Sequence, residues 1–173
     1  FQAGTNNFLS TNLTQFDPLS HHQVLWAWNG AAGEYVSITN ASGARYIAPG
    51  QAFIVSSKSN GGNVQFRTNM INTSASGDDF YIGDALEENR AELFISLDQL
   101  SNFKTTEIYF IDEGGSDGID PGYDGALLPI ADNSFSIYTR TLQEDNGENL
   151  AVNALNFFEI SQKIIPLGIT ALA

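Results

Sequence analysis

Cysteine is absent from this chain. That excludes disulfide staples, thiolate metal sites and a cysteine nucleophile, and it leaves the redox compartment open. Basic residues are scarce: seven Lys and Arg stand against twenty Asp and Glu, a formal net charge of −13. A field of that sign repels phosphate backbones and anionic membrane surfaces, so nucleic acid is a poor partner. It equally disfavours sulfated or uronic-acid polymers unless a bound cation inverts the local potential. No apolar run approaches the roughly eighteen residues of a membrane span, and the opening FQAGTNNFLST lacks the basic and apolar regions of a signal peptide. No membrane insertion is expected. The sequence starts at Phe1 rather than Met, which suggests a monomeric piece tethered to other domains of a larger protein.

What is present suffices for one domain. The chain has 173 residues at 42% hydrophobic content, and no shift of composition divides it, so residues 1–173 are read as a single domain with its own core. Short β-branched and aromatic runs recur between Gly, Asn, Ser and Thr clusters. They predict strands over residues 22–28, 34–39, 51–57, 63–68, 79–83, 91–97, 106–112, 134–140, 149–155 and 162–172. Most alternate with period two, as where Leu93, Ile95 and Leu97 oppose Glu92, Phe94 and Ser96. About ten strands with no apolar stripe at helical spacing imply an all-β fold, a β-sandwich of jelly-roll type. Residues 85–93, ALEENRAEL, compete as a helical turn or an acidic lead into the next strand.

Three groups of residues carry possible chemistry. Asp112, Glu113, Asp117, Asp120 and Asp124 crowd a glycine-rich stretch between the apolar runs TEIYFI and ALLPI. Glycine permits close approach of such a turn, and hard oxygen ligands suit Ca²⁺, so Asp112, Asp117, Asp120 and Asp124 are candidate ligands of a structural calcium ion. The spacing is not that of an EF-hand. The alternatives are an acidic turn whose carboxylates cap neighbouring N–H groups and an acid pair for glycoside hydrolysis. Nothing marks one carboxylate as the protonated partner that hydrolysis needs, and no enzyme is expected.

Aromatic residues form the second group. Trp26 and Trp28, two apart on a predicted strand, share a face, and Tyr35 on the next strand extends it. Such a platform stacks on the apolar faces of sugar rings. A core role for Trp26 is the competing reading. Tyr123, inside the acidic stretch, is a further ligand-binding candidate because loops at a sandwich end often carry binding. Third, His21 and His22 are adjacent, so on a strand they point to opposite faces and do not chelate one ion together. Asn12, Asn40 and Asn72 head glycosylation sequons of a kind that arise by chance in such a composition.

The succession WAWNGAAGEYVSIT, YIAPGQAFIVSS, NVQFRTNM, AELFISL, IYFIDEGGSDGIDPGYDGALL and IPLGITA resembles a β-rich accessory module of large secreted Bacteroidetes proteins, found upstream of type IX secretion sorting domains. The sharpest elements are Pro49 to Phe53 and Asp117 to Ala126. The Asn-Pro-aromatic-Pro-Ser run that often opens that module is not seen here. The resemblance implies a secreted or cell-surface location and a non-catalytic accessory role. With the aromatic platform it leads to the expectation of a carbohydrate-binding module that recognises polysaccharide; the alternative is a structural spacer or adhesion module.

Overall fold

The computed structural model describes residues 2–19, 22–30, 33–42, 45–47, 50–72, 89–99, 102–129, 133–143 and 148–171. The chain folds as twelve strands in three sheets, with one short helix and three 3-10 turns among the described residues. The all-β expectation therefore holds at the level of class.

The main sheet is built on two ten-residue strands, β7 (Arg90–Gln99) and β8 (Asn102–Ile111), paired antiparallel from Arg90↔Ile111 to Gln99↔Asn102. Beside β8 lies β11 (Leu150–Asn156), then β10 (Ser136–Thr139) and β12 (Leu167–Thr170), in the order β12-β10-β11-β8-β7, while the short β9 (Gly125–Ala126) also pairs with β11. The β8–β11 pairing is parallel, with Val152 opposite Glu107 and Ala154 opposite Tyr109. A purely antiparallel arrangement has no such pair. The segment LAVNAL is buried at every position from Leu150 to Leu155, as a central strand covered on both faces requires. One face packs Tyr109, Ile111, Val152 and Ala154 against Ala41 and the half-buried Tyr123. The other packs Ile108, Phe110 and Leu155 against Phe157 and Ile165.

A second sheet orders β3-β2-β5, where β2 (Leu25–Asn29) and β3 (Glu34–Ile38) form a hairpin and β5 is Phe53–Ile54. Its turn is closed by Gly33 N–H donating to the Asn29 carbonyl at 2.8 Å, with Gly33 at φ +67°, a conformation that favours glycine. The hairpin's Leu25, Ala27 and Ile38 meet Phe8 and Leu9 of the helix α1 (Thr5–Asn12). A third sheet, β4-β1-β6, joins Tyr46–Ile47, Gln2–Gly4 and Ile71–Asn72.

Several expectations change. TNNFLSTN is helical although its composition is poor for a helix, because tertiary burial of Phe8 and Leu9, both fully inaccessible, outweighs propensity. Residues 63–68 are not a strand. That stretch is held instead by buried Asn12, whose Nδ2 donates to the Phe8 and Gln65 carbonyls at 2.9 and 3.0 Å and whose Oδ1 accepts Gln65 N–H at 2.8 Å. An asparagine so engaged is no glycosylation acceptor. The strands expected at 51–57 and 162–172 shrink to Phe53–Ile54 and Leu167–Thr170. Residues 79–83, 85–88 and His21 lie outside the described residues, and from Arg90 the contested segment is strand β7.

Because Asn12 satisfies three backbone groups away from water, Asn12→Ala is expected to cost about 1–3 kcal/mol. Urea unfolding with an unchanged m-value checks it; a loss below about 0.5 kcal/mol would mean that water replaces the amide at no cost.

Candidate functional site

The acidic stretch is a tightly hydrogen-bonded turn. Its innermost member, Asp124, is fully buried. Asp124 Oδ2 accepts the Asp120 N–H and Oδ1 accepts the Ala154 N–H, each at 2.7 Å. Asp120 in turn accepts the Ser116 N–H at 2.6 Å and the Ser116 hydroxyl at 3.0 Å. Asp117 pairs with Lys163, which also pairs with Glu159 at 2.5 Å. Asp112 accepts from Asn89 Nδ2 at 3.0 Å. Among the described residues no three Asp, Glu or His side chains are grouped for a metal ion. The carboxylates proposed as calcium ligands thus spread over four separate sets of donors, and the capped acidic turn is the reading this geometry favours. Glycine is required where the turn meets its neighbours: a Cβ on Gly114 would lie 2.4 Å from the Tyr123 ring, and one on Gly115 would lie 2.6 Å from the Leu155 backbone.

Burial governs the electrostatics. It pushes Asp124 up to about 8, against the two N–H donors that favour the ionised form. Burial also raises Asp120, opposed by its bonds from Ser116. Lys163 is held above its ordinary value by Asp117 first and Glu159 second.

The aromatic candidates separate sharply. Trp28 and Tyr35 are cross-strand neighbours on the hairpin, exposed at 52% and 41%, with ring centroids 5.1 Å apart and planes at 68°. The two rings meet edge-to-face rather than as one flat surface. Trp26 does not join them: at 1% exposure it packs with Val24, Leu128 and Ile54, and its indole N–H donates to the Ala126 carbonyl at 3.0 Å. It is a core residue, because β9 and Leu128 cover the hairpin face at Trp26 and end before Trp28. Tyr123 is a packing residue, half-buried against the main sheet with Gly114 over its ring. His22 sits 3.5 Å from Asp17 and edge-on to Trp26, remote from any ligand cluster among the described residues.

Beside Tyr35 opens a cleft of about 70 Å³ between the free edge of β3 and the main sheet. Its floor is Leu128, Ile137 and Val152; its polar walls include Glu34, Lys104 and Glu107. Lys104 Nζ donates to Glu34 Oε2 at 2.9 Å, joining hairpin to main sheet. Glu107 Oε2 accepts the Tyr109 hydroxyl at 2.6 Å, with Arg45 at 4.0 Å. Burial raises Glu107 above the usual carboxylate range, opposed by the Tyr109 hydroxyl and then Arg45, while burial also raises Tyr109. Sequence reasoning passed over these residues. The signal was a lone glutamate inside TEIYFI, where an acid among residues buried on both sides needs partners.

Residues 5–173 match the model of a family described as a domain of unknown function (DUF8693). The chain belongs to that family. No curated protein matches the chain, and no solved structure does. Neither the fold's relatives nor a shared ligand therefore bears on the cleft, and its chemistry has to be read from its own residues.

Two outcomes are expected of the acidic turn. A carboxyl whose folded pKa is raised binds its proton more tightly folded than unfolded. Its contribution to stability is therefore present below the ordinary value of 3.8 and lost as pH rises toward about 8. The melting temperature should fall between about pH 5 and pH 8. Asp124→Asn should flatten that slope while lowering stability by about 1–3 kcal/mol, since an amide turns a donor toward one of the two N–H groups. A slope unchanged by the substitution would assign the pH dependence to other groups. Second, chelation of calcium should leave the melting curve in place; a loss of several degrees that Asp117→Ala or Asp120→Ala removes would restore the ion.

Proposed function

We propose that this domain is a non-catalytic carbohydrate-binding module, a β-sandwich carried by a secreted or cell-surface bacterial protein that degrades polysaccharide. The observation that carries the reading is the Trp28–Tyr35 pair, two adjacent aromatic rings left open to solvent on a rigid hairpin. Core packing has no use for them, and exposed aromatic planes beside hydrogen-bonding side chains suit the two-sided chemistry of a sugar ring. The net charge of −13 directs the reading to neutral rather than anionic polymers. The bacterial and extracellular setting rests on the motif resemblance.

One observation favours a second reading, a structural spacer that packs against a neighbouring domain. Phe158, Ile160, Ile164, Leu167 and Ile169 are all exposed, Ile164 at 89%, along the C-terminal stretch. Exposed large apolar side chains this dense along one stretch suit a contact site.

Affinity electrophoresis in gels containing neutral polysaccharides distinguishes the two. Retardation in at least one gel is expected, with no release of reducing ends, and Trp28→Ala should weaken binding by about 1 kcal/mol or more without changing the melting temperature. Unretarded migration in every gel would leave the spacer.

A further inference from the structure

The cleft beside Tyr35 has a composition that singles out one kind of substituent. At about 70 Å³ it holds several times the roughly 10–15 Å³ that one water needs. It is far below the roughly 300–1,000 Å³ of a pocket that encloses a whole small molecule. A pyranose ring lying on Trp28 and Tyr35 would remain outside, and only a group projecting from that ring would enter.

The lining mixes apolar Leu128, Ile137 and Val152 with charged side chains and with the smaller polar Ser37, Thr105, Asn133 and Ser136. Leu128, Ile137 and Val152 offer no hydrogen bonds from their side chains. On the walls, Glu107 directs Oε2 to Tyr109 and Arg45, and Oε1 has no partner among the described residues, so an acceptor is left over. Lys104 gives one of an ammonium's three N–H donors to Glu34, so donors are left over as well. A complementary substituent carries a methyl group, one N–H or O–H donor and one carbonyl-type acceptor. A hydroxymethyl group lacks the methyl. A carboxylate would face Glu34 and Glu107, two like charges in a half-buried space. An acetamido group carries all three parts.

We propose that this cleft receives the acetamido group of an N-acetylhexosamine whose ring lies against the Trp28–Tyr35 pair, stacked on one ring and edged by the other, since their planes stand at 68°. The N–H donates to Glu107 Oε1, the carbonyl accepts from Lys104 Nζ, and the methyl rests on the floor. This rests on the platform reading, and the test separates the two. The tetrasaccharides of chitin and of cellulose share a backbone and differ in an acetamido group or a hydroxyl at one ring position. In titration calorimetry the chitin oligomer should bind at least about tenfold more tightly, the scale of one or two hydrogen bonds gained. Lys104→Met and Glu107→Gln should each shrink that preference to about threefold or less while leaving affinity for the cellulose oligomer as it was. Trp28→Ala should weaken both. Circular dichroism and melting curves confirm that the variants are folded. Equal affinities in the parent protein, or a preference that survives both cleft variants, overturns the inference. Trp28-dependent binding to a neutral glycan without acetamido groups, and none to the chitin oligomer, overturns it while the platform stands. Absence of Trp28-dependent binding to any glycan removes both.

Discussion

The carboxylate of Asp124 is the joint on which the arrangement of the two halves turns. Strand β11 needs hydrogen-bond partners on both edges because it is buried throughout; β8 pairs from Val152 to Asn156, β10 meets it at Leu150, and β9 pairs at Leu150 and Val152. Where β9 begins, Asp124 accepts the Ala154 N–H with one oxygen, and with the other it accepts the N–H of Asp120. A side chain thus takes over as acceptor where the pairing with the short β9 stops. Burying a carboxylate costs several kcal/mol unless its oxygens are engaged; two short backbone donors offset part of that cost, and the remainder shows as the raised pKa. Removing the acid would leave two buried N–H groups without acceptors, the more damaging half of the exchange.

From that joint the geometry propagates to the cleft. The turn fixed by Asp124 presents the Gly122 carbonyl to the Asn40 N–H at 2.7 Å, just beyond the end of β3. It also presents the Ala126 carbonyl, which accepts from both the Trp26 indole and the Ser37 hydroxyl at 3.0 Å. These bonds, with Lys104–Glu34, clamp the hairpin against the main sheet at both ends of β3. The acidic stretch has a role in this even with no ligand of its own: it sets the distance between the hairpin edge and Glu107. A change at Asp124 should therefore reach the cleft as a loss of alignment as well as a loss of stability.

What was legible in the sequence follows from range. Short runs rich in β-branched, aromatic and other apolar residues, EYVSI, AELFISL, TEIYFI and LAVNAL, marked β3, β7, β8 and β11 because such a run is a local signal. Helix α1 was not legible, since Thr5–Asn12 is helical for the sake of Phe8 and Leu9 against Leu25 and Ile38, contacts that no local pattern announces. Trp26 and Trp28 are equivalent by alternation and differ only in what covers them, and that cover comes from Leu128, a hundred residues on. The carboxylate cluster was visible, but its donors Ala154 and Lys163 sit 30 and 46 residues away from Asp124 and Asp117, so clustering alone suggested an ion. The match over residues 5–173 defines the family without adding a function.

The cleft itself arises from an edge that the fold leaves unpaired. β3 closes one side of its sheet, with no strand beyond it among the described residues. An exposed edge invites association with other chains. Here β8 and β11 of the main sheet stand beside that edge without pairing with it, and side chains fill the seam only partly. Two demands meet in that gap. Glu34 and Glu107 keep the seam polar enough to resist filling by the core, because each carboxylate needs its own partner, Lys104 for one and Tyr109 for the other. Leu128, Ile137 and Val152 leave part of its lining apolar beside Asn133 and Ser136. A gap lined by side chains of both kinds suits a ligand group that is itself polar on one side and apolar on the other. Tyr35 lines that gap and Trp28 packs edge-on against it, which is what ties the proposed ligand to this place.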